Sequence, residues 1–309
     1  MTTPLPKVAY GKRWLSVADQ VSLLESRGLS VDDRTLAEEF LGYANYYRFS
    51  GYCLAFQDRD DHFRSGVKFS DIVYAYQFDS ELRGLVGDWL ELAEIDLRTQ
   101  SVHLFAEKYH AFGHCDQKNF SNPFSKKITH AEWLARLQED TKNSEKERCV
   151  AHFKARYLQY PDLPIWAAAE VMTFGSLSRF IGGMNRRDRK ALAKFYGLNS
   201  EELASMVHHL SYIRNVCAHH GRLWERYHQI KLLLPDSPEW QGNNKIDNAR
   251  LFCTLILLRV LTRRTPQVLQ AANRYHEKIN TLLQSPPNVP NPSTRLGLPV
   301  DWQRHPLWI

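Results

Sequence analysis

The stretch LSYIRNVCAHHGRLWERYHQI, residues Leu210–Ile230, decides how the chain is read. Its first half has apolar residues at helical spacing, yet Arg214, Asn215, His219, His220 and Arg222 fall within nine positions of one another. Such a cluster is either a polar network that locks a core or a reaction site. With about 100° per residue and Leu203 at zero, Met206, Val207, Leu210, Ile213 and Cys217 fall between roughly 280° and 40°, a single apolar stripe. Arg214 falls at about 20°, inside that stripe, whereas Asn215 and His219 lie together at about 120–160°, one turn apart on a neighbouring face. Arg214 is therefore predicted to face protein. It then needs a carboxylate or phosphate partner, because an unpaired buried charge costs several kcal/mol.

A partner is available on the helix that starts at Ile165. With Ile165 at zero, Trp166, Leu177, Ile181 and Phe174 span roughly 100–180°, and Glu170 sits at about 140°, in the middle of that apolar arc. Glu is almost never buried unpaired, so Glu170 is expected to meet Arg214, His219 or Asn215. A buried Glu–Arg bridge between helices can be purely structural, and a single histidine is more often a core residue than a catalyst. The density of Arg, Asn and His in one short span favours the site.

The rest of the chain is dominated by helical periodicity, so the fold class expected is mostly α, a multi-helix protein. Ser16 is a natural N-cap ahead of VADQVSLLES, and Gly28 a natural stop. Residues 32–56 read as a short helix running into an aromatic segment that breaks at Gly51. FSDIVYAYQFDSELRGLVGDWLELAEIDLRTQSVHLFAEKY reads as two helices meeting near Phe78–Asp79. Residues 111–130 are polar and read as loop. YPDLPIW marks a boundary, with Pro164 suited to the first turn of the next helix. Two regions follow: 1–160, an accessory or RNA-binding helical part, and 161–309, which carries the motif and a Pro-rich tail. They are otherwise one continuous domain. The tail ends in Trp302 and Trp308 and is expected to pack.

At 309 residues, 43% hydrophobic and 24% charged, the chain suits a folded globular protein with no disordered bulk. A net charge of +6 leans toward a polyanionic partner, RNA above all. The five cysteines are scattered, show no C-x-x-C pair and suit a reducing cytoplasm. No apolar leader is visible in MTTPLPKVAYGKRW, and LFCTLILLRVL is far short of the ~20 residues of a membrane span. A cytoplasmic protein with no membrane contact is expected. His110, His114 and Cys115 lie close together, but two or three ligands in one loop make a weak metal site. Neither metal nor cofactor is expected.

Arg214, four residues, then His219 resembles the R-x4-6-H motif of the HEPN ribonuclease superfamily, and YIRNVCAHHGRLW resembles the signature of the abortive-infection (AbiD/AbiF) family of antiphage proteins. Further segments resemble that family in the same order: NYYRFSGYCLAF (45–56), FDSELRGLVGDWLELAEIDLRT (78–99), LPIWAAAEVMTFGSLSRF (163–180) and LGLPVDWQRHPLWI (296–309). Glu225 departs from the pattern, which more often has Asn there. The resemblance implies a HEPN-like helical bundle, a homodimer formed through the Arg214–His219 helix, and a composite site with Arg214 and His219 from both copies. It implies that Asn215 orients the site and that Glu170 is the acidic residue beside the motif. Some relatives pair with a small structured non-coding RNA.

The residue types suit metal-independent endoribonuclease chemistry. The 2′-hydroxyl attacks the adjacent phosphorus, which takes a base, a stabiliser for the phosphorane and an acid for the leaving 5′-oxygen. Histidine serves as acid or base, and the arginine fork binds non-bridging oxygens. The products are a 2′,3′-cyclic phosphate and a 5′-hydroxyl. His220, Arg222, Arg179, Arg186, Arg187 and Arg48 are candidates for RNA contact. Arg48, set among Tyr46, Tyr47 and Tyr52, has the competing reading of an aromatic core edge. A different function uses the same residues: an RNA-binding protein that holds a small non-coding RNA without cutting.

Overall fold

The computed structural model describes residues 9–11, 13–58, 60–241 and 246–309. Most of the N-terminal stretch read for a leader, 1–8 and 12, lies outside them. Among the described residues the regular structure is helical, with only isolated β-bridges such as Ser30 with Lys68. The chain divides into two compact units, 1–78 with 286–290 and 79–285 with 291–309. The proline-marked junction near residue 160 falls inside the second unit.

The first unit contains α1 (Val17–Ser26), α2 (Arg34–Ala44), α3 (Tyr46–Cys53) and the first residues of α4 (Phe69–Tyr109). Ser16 caps α1 by accepting from the Asp19 N–H at 3.2 Å. The break in the aromatic segment comes at Asn45 and not at Gly51, through which α3 continues. Asn45 ends α2 at φ 61° and starts α3 by accepting from the Tyr47 N–H at 2.9 Å. Asn tolerates positive φ and caps well, so one residue does both jobs. Phe49 stacks on Phe69 at 4.8 Å, and Phe40 meets Phe49, Phe69 and Tyr76 edge-on. The guanidinium of Arg48 lies 5.6 Å above the Tyr76 ring, so Arg48 belongs to this aromatic core edge.

The helix α4 runs without interruption, where two helices meeting at Phe78–Asp79 were expected. Asp79 is tolerated mid-helix because Arg83, one turn on, pairs with its carboxylate, which therefore does not compete for the helix backbone. From Asp79 onward α4 belongs to the second unit, with α5 (His130–Asn143), α6 (Arg148–Arg156), α7 (Ile165–Val171), α8 (Phe174–Gly183), α9 (Arg186–Lys194), α10 (Ser200–Ala218), α11 (Pro238–Gln241), α12 (Leu251–Leu261), α13 (Pro266–Leu282) and α14 (Pro292–Leu296). The apolar run LFCTLILLRVL is α12, and all of it except Arg259 and Val260 is buried. Burial of each Leu, Ile or Phe stabilises by roughly 1.5–3 kcal/mol. Among the described residues no helix is long and apolar enough to cross a membrane.

Two aromatic clusters fix the unit. Phe105, Phe120, Phe124, Trp133 and Phe180 pack together, and Trp133 donates to the Ser176 carbonyl at 3.2 Å. Gly183 is required here, since a Cβ would lie 2.1 Å from the Phe124 ring. At the other cluster the tail packs as expected: Trp308 is buried against Trp89, Phe252, His276 and Trp302.

Candidate active site

Capping at both ends fixes α10. Asn199 accepts from the N–H groups of Glu201 and Glu202, and Glu202 accepts from the Asn199 N–H at 2.8 Å, a capping box. At the C-terminus the His220 N–H donates to the Cys217 carbonyl at 3.0 Å and the Gly221 N–H to the Val216 carbonyl at 2.8 Å. This is the Schellman ending, and its left-handed position, usually glycine, is held by His220 at φ 53°. The motif therefore straddles the point where the helix stops.

Two carboxylates of α4 hold the two sides of the motif. Asp79, fully buried, accepts from the Leu223 N–H at 3.0 Å and the Trp224 N–H at 2.5 Å, and pairs with the buried Arg83. This fixes the chain as it leaves the motif. Further along α4, the Cβ of Cys217 lies 3.9 Å from where a side chain on Gly87 would start. Burial pushes the Cys217 thiol up to about 12, with Arg83 lowering it and Asp79 raising it. Glu94 then meets Arg214, with Oε2 3.7 Å from Nε. As residue numbers rise along α4 those along the motif fall, so the two segments run antiparallel.

Arg214 is about a third exposed, and its Nη1 donates to Asn215 Oδ1 at 3.3 Å. Glu94 also pairs with Arg98 at 2.7 Å, and Arg98 donates to the carbonyls of Ala169 and Met172 at the end of α7. The expectation that Arg214 needs a carboxylate is met, but by Glu94 and not by Glu170. Glu170 is exposed, as is Trp166, and among the described residues it forms no ion pair. The reason is a break: α7 stops at Met172, and Thr173 restarts the chain as α8 by accepting from the Ser176 N–H at 3.1 Å. The break resets the angular phase, so Phe174, Leu177 and Ile181 are buried without Glu170.

Asn215 and His219 share an exposed face of α10, as read from their spacing. His220 is exposed and Arg222 half-buried in the loop held by Asp79. Arg179 is exposed on α8. Burial, with Lys127 and Arg179 nearby, lowers the pKa of His208, which lies on the same α10 face as Asn215, two turns earlier. Arg186 and Arg187 start α9, and Arg186 approaches Glu201 at 3.6 Å. Glu201 is in the first turn of α10, about 27 Å along the helix from His219, so these arginines are not gathered at the motif. Arg48 belongs to the first unit. Two arginines just beyond α12 are taken structurally: Arg263 donates to the carbonyls of Leu307 and Ile309, and Arg264 pairs with Asp96 at 2.7 Å. Glu225 adopts φ 62°, a region Asn enters more easily, and pairs with Arg295.

Behind the motif helix, His209 is fully buried between the Ile230 carbonyl at 2.6 Å and Thr254 Oγ1 at 2.8 Å, with His228 packed on it at 5.1 Å. Burial lowers His209 to about 4 and His228 to about 3, so both are neutral core groups. Among the described residues no cluster of three or more His, Cys, Asp or Glu side chains could hold a metal ion.

The family model for Abi-like proteins matches residues 39–225, more than half of the chain. The chain belongs to the Abi-like family. The matched span contains both α4 carboxylates and their arginines, and ends at Glu225, just beyond the loop that Asp79 holds. Membership of the Abi-like family suggests abortive-infection, that is antiphage, defence. Neither the curated proteins nor the solved structures compared with the chain gave a match. Sequence reasoning missed Asp79, Arg83, Glu94 and Arg98, although each acid precedes its arginine by four residues on one helix.

Proposed function

We propose that this Abi-like protein is a HEPN-type endoribonuclease of abortive infection, which cleaves RNA without metal to give 2′,3′-cyclic phosphate and 5′-hydroxyl ends. The observation that carries the reading is the accessible C-terminal turn of α10, where His219 and Asn215 are exposed and the Nη edge of Arg214 is turned to Asn215. Arg214 and His219 are about 140° apart on α10, so one copy offers a single acid–base group beside one phosphate-binding fork. Two copies facing each other across a two-fold axis supply both a base for the 2′-hydroxyl and an acid for the 5′-oxygen, with a guanidinium on each side of the phosphorane. The protein is thus expected to act as a homodimer through the Arg214–His219 helix.

The test is cleavage of single-stranded RNA in EDTA by wild type, Arg214→Ala and His219→Ala, with end-group analysis of the products. Loss of at least 100-fold in both variants is expected. Equal cleavage by all three would sink the assignment. The same 140° separation within one copy also suits a chain that grips a structured RNA without cutting it. A discrete co-purifying RNA with no product ends on prolonged incubation would identify that function instead.

A further inference from the structure

Arg214 approaches its carboxylate most closely through Nε, 3.7 Å from Glu94 Oε2, while Nη1 donates to Asn215 Oδ1 at 3.3 Å. Glu94 thus lies nearest the Nε side of the guanidinium, and the Nη1 side, part of the edge that can grip a phosphate in bidentate fashion, is turned to the exposed Asn215. Glu94 itself is not free to turn. Its other oxygen, Oε1, is bound by Arg98 Nη2 at 2.7 Å, and Arg98 is tied to the carbonyls of Ala169 and Met172 where α7 ends. Both acid and arginine are largely buried on α4, at 16% and 14% side-chain exposure, so the arrangement is held by packing and not by chance pairing in solvent. Carbonyl groups at a helix C-terminus lack intrahelical partners and carry partial negative charge, so they suit a guanidinium.

We infer that Glu94 and Arg98 are positioning residues that aim the phosphate-binding edge of Arg214 and set the charge it presents to RNA; this rests on the reading of Arg214 as the phosphate-binding group of an RNA-cleaving site. The charge count is what makes the pair informative. Arg98, Glu94 and Arg214 together carry one net positive charge. Removing the Glu94 charge leaves two, with Arg214 no longer aimed. Removing the Arg98 charge leaves none, with Glu94 free to pair fully with Arg214 and compete with phosphate. The two substitutions therefore move RNA affinity in opposite directions while both impair cleavage. Loss of fold alone would move affinity only downward.

The experiment uses the full chain, a mixed-sequence 2′-O-methyl oligoribonucleotide that cannot be cut, and a matching cleavable RNA. Glu94→Gln is expected to tighten binding of the uncleavable probe by about three- to tenfold, and Arg98→Met to weaken it by a similar factor. Arg98→Lys, which keeps the charge, is expected to bind within about twofold of wild type. On cleavable RNA, Glu94→Gln is expected to lose roughly 10- to 100-fold in kcat with KM unchanged or lower. In an Arg214→Ala background the effect of Glu94→Gln on binding should shrink, since only the change in net charge remains and no phosphate-binding fork is left to respond. Shifts of the same sign in Glu94→Gln and Arg98→Met, an undiminished Glu94→Gln effect without Arg214, or no binding of the probe by wild type would each overturn the inference. Wild type that binds with this ordering but leaves cleavable RNA intact would instead overturn the nuclease reading and leave the positioning network standing.

Discussion

Replacing Asp79 by asparagine tests the device that fixes the end of the motif. The carboxylate is fully buried, pairs with an equally buried Arg83, and accepts from the Leu223 and Trp224 N–H groups. Asparagine keeps the shape but loses the charge, and its amide presents a donor where Arg83 already donates. Leaving a buried guanidinium without its counter-ion costs about 3–5 kcal/mol. Converting charge-assisted N–H bonds to neutral ones removes roughly 1 kcal/mol more. The expected loss is about 5 kcal/mol, a large share of the ~5–15 kcal/mol that holds a folded domain. Equilibrium urea denaturation followed by tryptophan fluorescence measures it, since Trp224 is fully buried. Hydrogen exchange at the Leu223 and Trp224 amides reports the same contact locally. Arg83→Met alone should cost a comparable amount, because it leaves the carboxylate without its arginine. The double variant should then recover at least ~2 kcal/mol relative to the sum of the single ones. A loss below ~1 kcal/mol in Asp79→Asn, with both amides still protected, would refute the reasoning.

Acid should destabilise the second unit through its buried histidines. His114 and His209 are lowered to about 4 and His228 to about 3, chiefly by burial, so the unfolded chain takes up protons that the folded one refuses. The stability is intact above the unfolded value of ~6.5 and is lost as pH falls toward 4, by roughly 2 kcal/mol per histidine between pH 7 and 5; denaturation at the two pH values measures it, and His228→Phe should remove roughly 2 kcal/mol of the difference. His220→Ala should be about 1 kcal/mol less stable than His220→Gly, because both delete the side chain and only glycine relieves the left-handed φ of 53°. Equal midpoints would remove the strain argument. Gly183→Ala drives a Cβ into the Phe124 ring and should cost about 1–3 kcal/mol, read as a lowered Tm. In native protein at pH 8, a thiol-reactive chromophore should label the exposed Cys149 readily and the buried Cys53 and Cys253 only on unfolding, with Cys217, raised to about 12, slow.

The helical class, the cap at Ser16, the packing of the terminal tryptophan and the demand of Arg214 for a carboxylate were all legible in the chain; Pro164 was expected inside the first turn of α7 and instead precedes it, at the N-cap. The identity of that carboxylate was not. An angular argument is valid only while one helix continues, and Thr173 restarts the phase three residues after Glu170. Thr173 is a residue type that caps helices, with Ser176 three places on, so the restart had a signal. Glu94 was hidden differently. An acid four residues ahead of an arginine, as in Glu94–Arg98 and Asp79–Arg83, reads as ordinary support on an exposed helix face. Its meaning changes only once α10 covers that face, and nothing within α4 announces the cover. The unbroken course of α4 through Asp79 was obscured for the same reason, since an aspartate in mid-helix is unfavourable until its charge is taken up.

The grip of Asp79 on Leu223 spans 144 residues of sequence. A chain made from its N-terminus at roughly 5–20 residues per second produces Asp79 and Arg83 some 7–30 seconds before the backbone they hold exists. Closing so long a loop costs more chain entropy than closing a short one, so non-local contacts of this kind form slowly. The motif therefore acquires its shape late in synthesis, and a chain still being translated through its first two hundred residues lacks the backbone that completes it.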